Sequence, residues 1–143
     1  MEAIIGKQFP HKVIPLIEGA QKSIKIVVFD WRWYPYDIAS PVQIFNQAII
    51  RAQRRGVDIK VITNIDSIIQ ILTSQKIQAK KPLTPRLIHS KMMIIDDKIL
   101  IIGSHNYTQS AFTLNHEASV IIESESGLDD FIQYFNNLFN NYG

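Results

Sequence analysis

The 143-residue chain contains no cysteine, and only six of its residues are glycine and six are proline. Without cysteine there are no disulfide bonds and no thiolate sites, so the redox compartment stays undetermined. No apolar run approaches the roughly 20 residues that a membrane-spanning helix requires. The first residues lack a basic segment followed by a long apolar core, so no signal peptide is expected. Unless a signal has been removed, these absences favour a cytoplasmic protein.

The chain also carries little net charge, +2 at neutral pH, but its charges are unevenly distributed. Residues 51–91 contain nine lysines and arginines against two aspartates, whereas residues 92–143 contain one lysine against seven acidic residues. A basic segment of this kind indicates a polyanionic partner such as nucleic acid, held by its backbone. For Arg51, Arg54 and Arg55 a solvated helix face is the preferred alternative. The cations closer to residue 89 are the stronger candidates for phosphate contacts: Lys80, Lys81 and Arg86.

The rest of the composition, 46% hydrophobic and 20% charged residues, is that of an ordinary globular protein. The length fits a single domain over residues 1–143. Apolar runs typical of strands alternate with amphipathic stretches that have the period of helices. We predict helices at 10–21, 42–55, 66–74, 108–113 and 128–140, strands at 24–29, 58–63 and 118–122, a strand stub within 78–85, and a hairpin over 92–102. This order predicts an α/β fold, a mixed β-sheet flanked by helices on both faces.

The segment from His89 to Asn106 contains the most informative residues of the chain. A histidine is followed two positions later by Lys91, then by a carboxylate at Asp96, and finally by the sequence GSHN at 103–106. Imidazole can act as a nucleophile and as a proton carrier near neutral pH, and lysine supplies a permanent cation. Small polar side chains donate hydrogen bonds to oxygens. The set suits cleavage of a phosphodiester, whose phosphorus is attacked while its oxygens are held.

Strand periodicity predicts how these side chains point. If residues 87–95 form a strand, His89 and Lys91 share one face about 7 Å apart, a separation that suits one phosphate between them. Asp96 has the opposite parity and lies in the predicted hairpin turn, so it is expected to anchor that turn rather than to contact substrate. Glu117 is a candidate to hold the distal nitrogen of His89, as the orienting acid of a triad does. The alternative for Glu117 is an ordinary solvated charge at a strand end.

Together these residues resemble the signature of the phospholipase D superfamily, HxKx4D followed by GSxN and, further downstream, N-x-E. Here the three elements read HSKMMIID from residue 89, GSHN from residue 103 and NHE from residue 115. The resemblance covers residues 24–139 and is to the small, single-motif, bacterial-type endonuclease branch of the family.

The resemblance implies a two-step reaction that needs no metal ion or other cofactor. One histidine attacks phosphorus and forms a phosphohistidine, and a second histidine protonates the leaving oxygen and then activates water. By this resemblance His89 is nucleophile or acid, and Glu117 orients it. The resemblance also supplies the other members of the catalytic set, which hold the phosphate or complete the motif: Lys91, Ser104, Asn106 and Asp96.

Larger members of the family carry two such motifs in one chain, whereas this chain carries one. His11, His105 and His116 lack the HxK context. The second histidine is therefore expected to be His89 of another subunit. The resemblance thus implies a homodimer with its active site on a two-fold axis.

An aromatic segment, WRWYPY at residues 31–36, follows the first predicted strand. Its rings are candidates to stack the bases of a single strand. Burial at the dimer interface, where tryptophan and tyrosine are enriched, is the preferred alternative. Arg32 in this segment and His105 in the GSHN turn are further candidate substrate contacts.

Other functions are compatible with some of these residues. A metal-dependent hydrolase is disfavoured because the ammonium group of lysine has no lone pair to give and repels a cation. A lipid phosphodiesterase or phosphatidyl transferase would more commonly show an anchor or an amphipathic surface helix. A nucleic-acid-binding module with an idle catalytic set is a third alternative. We favour a non-specific endonuclease whose choice between DNA and RNA is open.

Overall fold

The computed structural model describes residues 1–82 and 84–141 and contains a seven-stranded sheet. The strands are β1 (Glu2–Ile5), β2 (Ser23–Val28), β3 (Asp58–Thr63), β4 (Gln78–Lys80), β5 (Met92–Ile95), β6 (Ile99–Gly103) and β7 (Ala118–Glu123). The helices are α1 (Phe9–Glu18), α2 (Pro41–Arg54), α3 (Asp66–Ser74), α4 (Gln109–Thr113) and α5 (Asp129–Asn141), and a 3-10 turn covers Gly6–Gln8.

The strand order, β1-β7-β6-β5-β2-β3-β4, joins a parallel part of the sheet to an antiparallel part. β2, β3 and β4 run parallel, and every other neighbouring pair is antiparallel. The ends of β1, β2, β3, β4 and β6 therefore lie beside the starts of β5 and β7. We call this side of the sheet the motif edge, because His89 immediately before β5 and the GSHN turn after β6 both lie there.

Helices cover both faces of the sheet. On one face, α1, α2, α3 and α4 bury the larger core, which includes Val13, Phe45 and Phe112. On the other face, α5 packs Phe135 and Phe139 against the sheet. The predicted α/β class, a mixed sheet flanked by helices on both faces, is confirmed.

Local signals account for the bounds of the longest helix. The hydroxyl of Ser40 accepts a hydrogen bond from the N–H of Gln43 at 3.4 Å, and Pro41 occupies the first helical position of α2. The chain leaves α2 through Gly56, whose φ of 97° is accessible to glycine and costly for other residues. The predicted helix over 42–55 therefore agrees with α2 to within a residue at each end.

Two extended segments differ from the prediction. β1 was not predicted, because four residues with Ile4 alone buried are too few to show strand alternation. Its pairing partner is β7, near the other end of the sequence. The strand predicted from residue 87 begins only at Met92. The reason is that the backbone of Ile88 is hydrogen bonded to the side chain of Asn64 instead of to a strand.

The aromatic segment after β2 belongs largely to the core. Trp31 is fully buried, and its indole N–H donates to Oδ1 of Asn46 at 2.7 Å. Trp33 and Tyr34 are half-buried against the same core, whereas Tyr36 is fully exposed. Both roles predicted for this segment, base stacking and dimer contact, are wrong for Trp31, because a ring buried within its own chain has no surface left to offer.

Candidate active site

Most residues of the motif come together at the motif edge. His89 and Lys91 lie in the segment that leads into β5, Ser104 and Asn106 follow β6, and Glu117 precedes β7. These three strands are neighbours in the order β7-β6-β5. Since adjacent strands are about 4.8 Å apart, the three segments converge within roughly 10 Å of sheet width.

His89 and Lys91 form the centre of the cluster. Nζ of Lys91 lies 3.2 Å from Nδ1 and 3.4 Å from Nε2 of His89. This contact is closer than the roughly 7 Å that strand spacing predicts, because the long lysine side chain bends toward the ring. Phe29 provides an apolar wall, with its ring centre 5.3 Å from that of His89. Because His89 is exposed, a bound phosphate can meet the ammonium group and a ring nitrogen together.

The turn after β6 needs glycine because two backbones approach closely. A Cβ on Gly103 would lie 2.5 Å from the carbonyl oxygen of Ala118 and would overlap Ser119. At this crossing the N–H of Ser104 donates to the carbonyl of Ala118, and the N–H of Ala118 donates to Oγ of Ser104, both at 3.0 Å. The crossing thus holds the Ser104 hydroxyl at the motif edge, on the exposed side of the turn.

Asn106 is oriented by the backbone at the end of β2. The N–H of Asp30 donates to Oδ1 of Asn106 at 3.1 Å, and the N–H of Tyr107 donates to the carbonyl of Asp30 at 3.0 Å. Since the carboxamide oxygen is occupied, Nδ2 is the group that can donate to a phosphate oxygen. Arg32, a candidate substrate contact, pairs with the carboxylate of Asp30 at 2.9 Å and remains exposed near the cluster.

Glu117 binds its neighbours on β6 and β7. Oε1 accepts a hydrogen bond from the hydroxyl of Ser104, and Oε2 accepts one from Nδ2 of Asn115 at 3.1 Å. No hydrogen bond joins Glu117 to His89 within residues 1–82 and 84–141. The orienting role that was expected for Glu117 therefore stays a prediction, and its observed contact is with the phosphate-binding candidate Ser104.

Asp96 lies at the opposite side of the sheet from His89, separated from it by the length of β5. At distances of 2.6 to 3.2 Å its carboxylate accepts hydrogen bonds from three consecutive backbone N–H groups, those of Gln21, Lys22 and Ser23. Burial acts to raise the pKa of Asp96, but the three donors outweigh it and hold the pKa below its ordinary value. Asp96 therefore anchors the hairpin to the start of β2, as the strand parity predicted, and the catalytic place that the resemblance implied for it stays a prediction without a supporting contact.

Asn64, which was not singled out in the sequence, supports the segment that carries His89. Its Oδ1 accepts from the N–H of Ile88 at 3.3 Å, and its Nδ2 donates to the carbonyl of Ile88 at 2.8 Å. Nδ2 also reaches the carbonyl of Phe29 at 3.2 Å. One carboxamide just after β3 thus ties the end of β2 to the residue before His89. The available signal was weak, a polar turn at 63–66 that follows a buried strand.

The prediction that His105 contacts substrate is wrong, because the side chain is only 1% exposed. Its Nδ1 lies 2.7 Å from Oγ of Ser119, its Nε2 lies 2.8 Å from the carbonyl oxygen of Gly6, and its ring packs 4.6 Å from that of Phe9. Burial lowers the pKa of His105, against the opposing effects of the Gly6 carbonyl and the charge of Glu117. The ring therefore joins β7 to the segment after β1.

The three cations predicted to contact phosphate are held differently. Lys80 donates to the carbonyl of Phe139 at 3.2 Å and lies 4.2 Å above the centre of its ring, so a phosphate contact is not supported. Lys81 pairs with Asp66 at 3.3 Å and follows β4, three strands or roughly 14 Å from β5. Arg86 is exposed and precedes His89 by three positions, so it is the best placed of the three.

Among the described residues there is no group of three or more histidine, aspartate or glutamate side chains that could hold a metal ion. No helix in the described part of the chain is both long enough and apolar enough to cross a membrane.

Residues 13–141, nine-tenths of the chain, match the protein family described as cardiolipin synthase, PLD-like domain. The chain belongs to the phospholipase D superfamily. The resemblance that the HxK and GSxN elements carry is confirmed, and the match runs from α1 to the end of α5.

Curated relatives are longer than this chain. It is 31% identical to the mitochondrial cardiolipin hydrolase of Canis lupus familiaris, over 96% of this chain and 53% of the relative. It is 32% identical to the phospholipase D of Rickettsia bellii, over 63% of this chain and 48% of the relative. The chain thus spans about half the length of the curated relatives it matches.

A solved structure matches the chain over nearly its whole length. Nuc, a phospholipase D family member from Salmonella typhimurium, superposes with a TM-score of 0.80 at 22% identity. The match covers 99% of this chain and 96% of that one. At this identity the comparison establishes a shared fold, that of a phospholipase D family member.

Proposed function

We propose that the chain is a metal-independent phosphodiesterase that acts as a non-specific endonuclease. The observation that carries the proposal is the contact between the Lys91 ammonium group and the His89 ring, 3.2 Å at its closest, at an exposed position of the motif edge. An anionic phosphate in this position would be held by the ammonium group with a ring nitrogen close to phosphorus. On the neighbouring segment, Nδ2 of Asn106 supplies a donor for a phosphate oxygen, and the Ser104 hydroxyl supplies a second one when it turns from Glu117 to the phosphate.

The reaction proceeds in two displacements. A ring nitrogen of His89 attacks phosphorus and forms a P–N bond while the P–O bond to the leaving group breaks, and a second imidazolium gives its proton to the leaving oxygen. The second imidazole then takes a proton from water, whose oxygen displaces His89 from phosphorus. The ammonium group of Lys91 offsets the negative charge that develops on the non-bridging oxygens. Water is the only further reactant.

The second imidazole comes from a second copy of the chain. His105 is buried in the core and cannot reach a substrate. A two-fold axis beside His89 would bring two copies of this ring to one phosphorus through a self-complementary contact. A homodimer is therefore part of the proposal. His116, which is exposed beside Glu117, is the alternative source within one chain.

Charge supports nucleic acid as the substrate class. Lys81, Arg86 and Lys91 lie on the segment that leads into β5, and Arg32 lies beyond the end of β2, so exposed or half-exposed cations follow the motif edge. Cations spaced along an edge hold a polyanion by its backbone, independently of base sequence. This distribution favours a non-specific contact.

A second candidate function is hydrolysis of a lipid phosphodiester. Three large apolar side chains are exposed in segments at the motif edge, namely Ile5 (57%), Leu87 (62%) and Leu114 (80%). Curated relatives of the chain are also named for phospholipase and cardiolipin hydrolase activity.

The substrate class is tested by incubating the protein, with and without excess EDTA, with single-stranded DNA, duplex DNA, RNA, and phosphatidylcholine or cardiolipin vesicles. We expect nucleic-acid cleavage that persists in EDTA. His89→Ala should abolish turnover and still bind an oligonucleotide. When wild-type protein reacts with a labelled substrate and the reaction is stopped in alkali, acid-labile label should remain on His89. Cleavage of lipid alone would favour the second candidate. Binding without any turnover would identify an idle nucleic-acid-binding module.

The shared site is tested by exchanging wild-type subunits with His89→Ala subunits. If one site needs His89 from both subunits, the activity of exchanged mixtures falls with the square of the wild-type fraction. A linear dependence would place both reacting groups in one chain. His116→Ala is the companion variant, because it should stay active if the site is shared and lose activity if His116 is the acid.

A further inference from the structure

A pocket next to the catalytic cluster is not used in the mechanism above. Its volume is about 490 Å³, and its lining comes from the segment before β5 and from α5: Thr84, Arg86, Leu87, Ile88, Tyr134 and Leu138. Ile88 directly precedes His89, so part of the pocket lining belongs to the segment that carries the proposed nucleophile. The pocket is therefore a candidate to receive a substrate group near the scissile phosphate.

Tyr134 is the feature of the pocket that is hardest to explain as packing. The ring is 42% exposed, whereas Phe135 and Phe139 on the same helix are buried. The hydroxyls of Tyr134 and Ser90 form a hydrogen bond of 2.8 Å, and Ser90 directly follows His89. A half-exposed ring whose tip is tied to the catalytic segment offers a rigid aromatic face at low cost in conformational entropy.

The remaining lining combines one cation with apolar walls. Arg86 is the charged member, and no salt bridge among the described residues involves it. Leu87, Ile88 and Leu138 supply apolar surface, and Leu87 is 62% exposed. An aromatic face, apolar walls and a single guanidinium group match a flat heterocyclic ring attached to an anionic backbone.

We propose that this pocket binds one nucleobase of a single-stranded substrate, stacked on Tyr134, while Arg86 contacts the backbone phosphate on that side. The inference rests on the proposed nuclease function and specifies the form of the substrate. With a base in the pocket, the adjoining phosphate reaches the site of His89 and Lys91. A duplex cannot supply this base without unpairing it, so the pocket favours single strands. Stacking is tolerant of base identity, because every base has a π-face.

The test compares two single-stranded oligonucleotides with the same phosphate backbone, one of thymidines and one with tetrahydrofuran abasic sites in place of the bases. Wild-type protein should cleave the thymidine strand with a kcat/KM about 5- to 150-fold higher, the range expected for one stacked base. Tyr134→Leu should remove this preference, mainly by raising KM on the thymidine strand.

Three control variants separate stacking from structural effects. Tyr134→Phe keeps the ring and loses the bond to Ser90, so it should keep most of the base preference. Phe131→Leu changes another aromatic residue of α5, 36% exposed and outside the pocket lining, and should keep all of it. Tyr36→Leu, in the fully exposed position after β2, should do the same.

Several outcomes would overturn the inference while the nuclease proposal stands. The first is equal cleavage of both strands by wild-type protein. The second is an equal loss of activity on both strands in Tyr134→Leu, or a loss of base preference in Tyr36→Leu instead. The third is a change in the mass of the oligomer in Tyr134→Leu, which would make the pocket an interface between subunits. Wild-type protein that cleaves neither strand but hydrolyses phosphatidylcholine vesicles would instead refute the nuclease proposal.

Discussion

Replacing Asp96 by asparagine tests whether this motif carboxylate acts in folding or in chemistry. Asparagine has nearly the same shape and tolerates the φ of 54° found here. The substitution therefore removes the negative charge and one acceptor oxygen with little backbone strain. Oδ1 alone accepts from three backbone N–H groups, at 2.6 to 3.2 Å. An amide oxygen in the same place can keep these bonds only in their weaker, neutral form.

The expected size of the effect follows from those bonds. A hydrogen bond to a charged group contributes about 1.5–3 kcal/mol and a neutral one about 1 kcal/mol, so three weakened bonds would cost a few kcal/mol if fully buried. Because two of the donors, Gln21 and Lys22, are exposed, water replaces part of this loss. We expect the free energy of unfolding to fall by about 2 kcal/mol, which lowers Tm by about 6 °C for a chain of this size.

The pH dependence supplies a second signature. Because the folded state holds the pKa of Asp96 below its ordinary value, the stabilisation is complete above the pKa of the unfolded chain, about 4. It is lost as pH falls through the lower, folded-state pKa. The stability difference between wild type and Asp96→Asn should therefore be constant near neutral pH and shrink below about pH 4.

The assay is urea or thermal unfolding at a fixed protein concentration, followed by turnover measured where both proteins are folded. Asp97→Asn is the matched control, because Asp97 lies in the same turn with a φ of 55°. Its half-exposed ion pair with Lys25 predicts a loss below about 1 kcal/mol. Our reasoning is refuted if Asp96→Asn is as stable as wild type while its turnover falls by orders of magnitude, since the carboxylate would then act in the reaction.

Three further predictions concern residues around the cluster. Asn64→Asp replaces the Nδ2 donor to the carbonyl of Ile88 with an acceptor oxygen, which should displace the segment that carries His89. We expect kcat to fall about tenfold with little change in KM, and an unchanged kcat would contradict the positioning role. Gly103→Ala forces a methyl group against Ser119 and should lower the free energy of unfolding, measured in urea titrations, by about 1–3 kcal/mol. Wild-type stability in this variant would mean that the backbones of β6 and β7 can move apart here. The lowered pKa of His105 means that the unfolded state binds a proton more readily than the folded state, so the free energy of unfolding should decline as pH falls from 7. This decline should be smaller in His105→Gln, and an equal decline in the variant would contradict the burial of a neutral ring.

Local periodicity was a reliable guide wherever an element has a long enough pattern. The strand predicted at 58–63 and the helix predicted at 66–74 agree with β3 and α3 at both ends. β1 lacks such a pattern, and its strand conformation depends on pairing with β7, which is distant in sequence. The predicted strand before residue 92 was too long, because the side chain of Asn64, from a segment remote in sequence, takes up the backbone hydrogen bonds of Ile88.

Within the candidate site, the sequence indicated the residues whose chemistry is itself informative. A histidine, a lysine and two small polar residues at short spacings predicted a phosphate-binding cluster, and His89, Lys91, Ser104 and Asn106 do lie on neighbouring segments. Asn64 escaped notice because its effect depends on backbone groups from two other segments. An asparagine after a strand is common, and its partners become visible only when the chain is folded.

The amino-acid sequence by itself determined the superfamily, the α/β class and the set of groups available for phosphate chemistry, because these depend on side-chain type and on local spacing. Only the tertiary structure decided which of these groups face a substrate. Strand pairing places Asp96 at the far end of β5 against the start of β2, and packing against Phe9 buries His105, although both residues lie within or beside the motif. The physical reason is that exposure and hydrogen-bond partners are set by contacts between segments remote in the chain, and local pattern carries no information about them.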